Sequence, residues 1–127
     1  VQGAALVSVD PIESVLDPGE SAVFLERLFT APRNRPDLRR DESPYFLGVG
    51  IELLIWTVGF SRNQGCRGRI RLDSSPDAIS WYEKRGLKSL PLNHMLFEGV
   101  EYLPMELPVS AADVLLPPGR RRTRKKK

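Results

Sequence analysis

The chain has 127 residues, enough for one domain around a single core. Its formal charge of +3 comes from one end: residues 120–127 hold seven of the 19 basic residues and no acid, so the rest, with 12 basic against 16 acidic residues, is net acidic. A net acidic body argues against a nucleic-acid-binding face there and leaves that role to the tail alone.

The lone cysteine, Cys66, has no partner for an internal disulfide, which points to a reducing, cytoplasmic setting. No apolar run approaches the roughly 18 residues needed to span a bilayer. No basic segment followed by a long apolar one opens the chain, so no signal peptide is expected. One histidine and one cysteine do not make a metal cluster, and no metal is expected.

In chain order, residues 2–9 are short, apolar and β-prone and read as a strand. Asp10-Pro11 and Asp17-Pro18-Gly19 are breaks; between them Ile12 to Leu16 reads as an ordered loop or as one helical turn. Residues 21–30 are the second strand, with Phe24, Glu26, Leu28 and Thr30 on one face. Ala31-Pro32 ends it, and a long polar loop carrying Arg33, Arg35, Arg39 and Arg40 follows. Tyr45 to Gly50 then form a glycine-containing turn that opens into a helix over residues 49–64. Unpaired N–H groups and the helix dipole make such a turn an anion site. The helix is apolar all round and is expected to be buried on several sides, Trp56 included.

Gly65 caps that helix. Residues 67–73 alternate basic and apolar as a third strand, with Arg67, Arg69 and Arg71 on a solvated face. Ser75, Pro76 and Asp77 give a strong helix start, and Gly86 a stop. Residues 87–92 and about 95–107 supply two more strands. Asp113 onward reads as a disordered basic tail. A strand, a crossover helix and a strand make a βαβ unit with parallel strands, and ligands bind near the carboxyl ends of such strands.

Three stretches resemble the GNAT superfamily of N-acetyltransferases. Leu25-Glu26-Arg27-Leu28-Phe29-Thr30-Ala31-Pro32 is similar to that family's fourth strand. Tyr45-Phe46-Leu47-Gly48-Val49-Gly50 is similar to its pyrophosphate loop, Gln/Arg-x-x-Gly-x-Gly/Ala. Ser75 to Leu87 is similar to its later helix, Asn-x-x-Ala-x-x-x-Tyr-Glu-Lys-x-Gly-Phe, matching at Ala78, Tyr82, Glu83, Lys84 and Gly86. Tyr45, Ser75 and Leu87 depart from the usual residues. The family's first strand, first two helices and next strand have no counterpart here.

The resemblance implies an α/β fold with a GNAT-like mixed central sheet, truncated at its N-terminus. Residues 1–112 form the domain and residues 113–127 the tail. It implies acetyl-CoA as cosubstrate and an amine-bearing acceptor, small molecule or protein. The implied cofactor-binding residues are the backbone of Leu28 and Thr30 for the pantetheine arm, the N–H groups of Phe46, Leu47, Gly48, Val49, Gly50 and Ile51 for the pyrophosphate, and Ser75. Tyr82 is the implied acid for the departing thiolate and Glu26 the implied base. The alternative is a non-catalytic GNAT-like module. It would be held to a partner chain, or to nucleic acid through Arg120, Arg121, Arg122, Arg124, Lys125, Lys126 and Lys127. An exposed sheet face left by the missing elements also suggests a partner or oligomer.

Overall fold

The computed structural model describes residues 3–8, 10–30 and 44–117. The arginines of the 31–43 loop and the basic run of the tail lie outside them. Among the described residues, seven strands and three α-helices follow in the order β1 (Gly3–Val7), β2 (Ile12–Glu13), β3 (Ser21–Thr30), α1 (Pro44–Asn63), β4 (Ile70–Ser74), α2 (Ile79–Lys84), β5 (Lys88–Ser89), β6 (Met95–Phe97), β7 (Val100–Leu107) and α3 (Val109–Leu115). A short 3-10 turn, Pro76–Ala78, leads into α2.

The strands form one mixed sheet in the order β1-β3-β4-β7-β5, with β2 paired to β3 and β6 to β7. β3 and β4 are parallel, as a strand–helix–strand crossover requires, and the other pairs are antiparallel.

One contiguous core joins Leu25 of β3, Leu54 and Val58 of α1, Ile70 and Leu72 of β4, Tyr82 of α2, Met105 and Leu107 of β7, and Ala112 of α3. The helices therefore pack on a single face of the sheet. β4 shows the alternation that produces this: Ile70, Leu72 and Ser74 are buried, while Arg71 and Asp73 between them are only half-buried.

The other face is crossed by residues 12–20, of which the sequence leaves Ile12 to Leu16 undecided between loop and helical turn. Ile12–Glu13 is the short strand β2, and the rest is an ordered loop pinned by two buried charges. Glu106, fully buried on β7, accepts hydrogen bonds from the Ser14 hydroxyl, from the Val15 N–H at 2.8 Å and from the Leu16 N–H at 3.3 Å. Arg69 donates to the Ser21 carbonyl at 2.9 Å and pairs with Asp17 and Glu20 at 3.1 and 3.3 Å. Its side chain is 2% exposed, so the expected solvated position for Arg69 is corrected. Arg67 is exposed and lies before β4, in a turn with φ of 59°.

Four further expectations change. α1 begins at Pro44, so Tyr45 to Gly50 are its opening turns rather than a turn before it. Pro44 suits the first helical position because its missing N–H would have no partner there. Trp56 is not core: it is 53% exposed and stacks on Phe60 at 5.5 Å. The buried stripe of α1 is Leu54, Thr57, Val58 and Ser61. Its two hydroxyls are satisfied by the Leu53 and Arg69 carbonyls, both at 2.8 Å, which lets polar residues occupy the inner face. The 95–107 strand is a hairpin that turns at Glu98-Gly99, where both residues have positive φ. Finally, Asp113 is not the start of a tail, since α3 runs on to Leu115 and Arg62 pairs with Asp113 at 2.9 Å.

Candidate functional site

The site is set by where β3 and β4 stop pairing. They are matched only at Val23–Ile70 and Phe24–Arg71. β3 continues to Thr30 and β4 to Ser74 without further pairing between them. On its other edge β3 stays bonded to β1, and β4 stays bonded to β7. Two parallel strands thus part toward their carboxyl ends, and the facing edges of Leu25–Thr30 and Leu72–Ser74 carry no strand partner among the described residues. Such edges offer main-chain donors and acceptors to an extended ligand.

β3 is also bulged at this point. Leu6 pairs with Arg27 and Val7 with Leu25, leaving Glu26 as the extra residue. A bulge bends its strand and re-aims the side chain it carries. Glu26 accepts a hydrogen bond from Ser8 Oγ at 2.7 Å. Ala5 and Val7 pack toward the core, so Ser8, and Glu26 with it, stand on the face away from the helices.

α1 runs back against the parallel strands, so its N-terminus lies at their carboxyl end. The Tyr45–Gly50 motif lies in the first described turns of α1, at the helix's N-terminal side. The second glycine of the motif has a separate duty. A Cβ on Gly50 would sit 3.1 Å from Trp81 Cζ2, so glycine is what lets α1 approach α2 this closely.

Tyr82 belongs to the buried cluster that also holds Leu25 and Leu72 of the two parting strands, which sets it on the helix side of the sheet. Trp81 meets it edge to face at 5.3 Å, and the Arg85 guanidinium covers the Trp81 ring at 4.8 Å. Burial pushes the Tyr82 hydroxyl up to about 12, so at neutral pH it holds its proton. Asp73, absent from the residues singled out by sequence, is held above the ordinary carboxylate range by burial, which the Arg71 guanidinium partly offsets. The only sequence signal for it is the Arg-x-Arg-x-Asp alternation that puts it on the Arg71 face.

Tyr82 thus stands on the helix face of the sheet and Glu26 on the other. Ser75 is extended just before the 3-10 turn and makes no side-chain cap bond. Cys66 is fully buried. His94 is exposed and 3.6 Å from Glu101, on the distal hairpin. Among the described residues no cluster of metal-ligating side chains is found, and no helix is long and apolar enough to cross a membrane.

Among solved structures, a NatC complex bound to Gag peptide and CoA superposes with a TM-score of 0.60 at 15% identity, over 84% of this chain and 60% of that one. The fold is GNAT-like. An acetyltransferase (22% identity, covering 79% of this chain and 47% of that one) and a Corynebacterium glutamicum acetyltransferase related to the histone acetyltransferase HPA2 (19%, 84% and 57%) each superpose at 0.49. The chain spans about three fifths of the length of the NatC-complex neighbour. No protein-family model matches the sequence, and no curated protein does.

Proposed function

We propose that this chain is an acetyl-CoA-dependent N-acetyltransferase that transfers an acetyl group to an amine by direct attack. The observation that carries this reading is the parting of β3 and β4 after Phe24–Arg71, in a GNAT-like fold and with Tyr82 on the helix side of the sheet.

The residues fit coenzyme A in kind. The unpaired edge of β3 around Leu28 and Thr30 suits a pantetheine arm lying alongside as an extra strand. The N-terminal side of α1, where the Tyr45–Gly50 motif lies, suits a pyrophosphate bound through backbone N–H groups. This placement needs backbone donors only, so the tyrosine where the family carries Gln or Arg is compatible with it. Ser75 closes the end of β4. Acetyl-CoA supplies the activated acyl group. Glu26, on the outer face, takes a proton from the incoming amine. Tyr82, on the helix face, gives a proton to the departing sulfur. Its pKa of about 12 keeps it a donor across the working range. Base and acid on opposite faces match a reaction in which the amine enters from one side and the thiol leaves on the other.

Calorimetric titration of the full chain with acetyl-CoA tests the reading. Binding is expected, and Gly48→Glu is expected to abolish it by setting a carboxylate against the phosphates. No heat at millimolar acetyl-CoA overturns the proposal.

A further inference from the structure

The parting strands carry a second carboxylate. Phe24 and Arg71 are the last paired residues of β3 and β4. The next acidic residue beyond the pair is Glu26 on β3 and Asp73 on β4. Asp73 is two residues past Arg71 and therefore shares its face, away from the helices. Glu26 is fixed to the same outer face by its bond from Ser8. The two carboxylates stand on opposite banks of the opening, one on each strand, at the level where the edges come free.

We propose that Asp73 is a second proton acceptor for the incoming amine, working across the opening from Glu26. The inference rests on the acetyltransferase reading above and deepens it. The chemistry calls for two acceptors. An amine that arrives as R–NH3+ must lose one proton before its lone pair attacks the thioester carbonyl. It must lose another once the C–N bond has formed, as the C–S bond breaks. Asp73 takes the first and Glu26 the second, while Tyr82 protonates the leaving sulfur. Solvent returns a proton to Tyr82 and receives those of the two carboxyls, leaving one proton released overall.

The surroundings suit that duty. Asp73 is half-buried and lifted above the usual carboxylate range by desolvation, which moves it toward the pKa of an effective base. Arg71 is its neighbour on β4, and its positive charge partly offsets that rise. On the same face the neighbouring strands bring Glu26 and Arg27 of β3, Tyr102 and Glu106 of β7, and Lys88 of β5. Glu106 is already engaged by Ser14, Val15 and Leu16 and is not available to a substrate.

The test uses the full chain, acetyl-CoA and a synthetic peptide with a free α-amine and one lysine, following release of the coenzyme A thiol. Asp73→Asn, close to isosteric, is expected to leave acetyl-CoA affinity and melting temperature unchanged. It is expected to lower kcat about 100-fold and to remove the acid-side fall of kcat/KM. Asp73→Glu, which restores a carboxylate, is expected to recover part of the rate. Wild-type turnover in Asp73→Asn overturns the assignment, as does Asp73→Glu that is folded yet no faster than Asp73→Asn. A wild-type chain that neither binds acetyl-CoA nor transfers acetyl overturns the acetyltransferase reading itself, a different result from an active wild type with an active Asp73→Asn.

Discussion

Tyr82 is the residue at which packing and the proposed chemistry meet. Its ring lies in the core with Leu25 and Leu72 of the parting strands, and its burial holds the hydroxyl proton to about 12. The same shift has a stability consequence with a definite sign. Between pH 10 and 12 an unfolded tyrosine loses its proton while Tyr82 in the fold keeps it. The unfolded state then binds fewer protons, and stability falls as pH rises. The stabilisation is full below about pH 10 and is lost as pH rises through 12, two pKa units corresponding to about 3 kcal/mol in all. Tyr82→Phe is expected to flatten that part of the profile in denaturant unfolding. It is also expected to lower kcat by 100-fold or more with acetyl-CoA affinity kept. An unchanged alkaline slope would contradict the burial argument; an unchanged kcat would remove Tyr82 from the chemistry. Gly50 makes a separate residue-scale prediction. Gly50→Leu must displace Trp81, and a melting temperature equal to wild type would show that α1 and α2 do not need this approach.

At the scale of elements, α3 is fitted to its place by a glycine it does not contain. Gly86, with φ of +105°, ends the turn after α2, and a Cβ there would lie 2.6 Å from the Ala111 Cβ. Gly86→Ala meets both a left-handed backbone and a collision, and is expected to cost more than about 1 kcal/mol in equilibrium unfolding. Wild-type stability would mean that α3 shifts freely. The loop over the opposite face depends on Glu106 in a similar way. Glu106→Gln keeps one acceptor oxygen where two are in use, and is expected to cost about 1–3 kcal/mol. Faster amide exchange at Val15 and Leu16 is the local sign of that loss, and unchanged protection there would argue that the carboxylate does not hold the loop.

At the scale of the molecule, the sheet makes the functional argument, because the opening belongs to no single element. β3 and β4 pair at their start and separate later, one held by β1 and the other by β7. Much of the frame was legible beforehand. β3 ends where its alternation and Ala31-Pro32 place the stop, and the parallel βαβ unit follows from element order. The glycine at Gly86 marks the end of α2's turn. Less legible was what each face would meet. Arg69 alternates like a solvated residue yet is buried, because Asp17, Glu20 and the Ser21 carbonyl come to it from nearly fifty residues away. Trp56 looks like core but is exposed, because the buried stripe of α1 runs through Thr57 and Ser61, whose hydroxyls find carbonyl partners.

The sequence by itself determined the order of the main elements from β1 to α2 and the parallel crossover, since these depend on local periodicity and motif spacing. Only the tertiary structure decided that Glu26 is the extra residue of a bulge, that Asp73 lies on the outer face of β4 beyond its last pair with β3, and that the glycine motif lies inside α1. Each of these is set by pairing between distant strands or by where a helix begins, and neither is written in the spacing of a single segment.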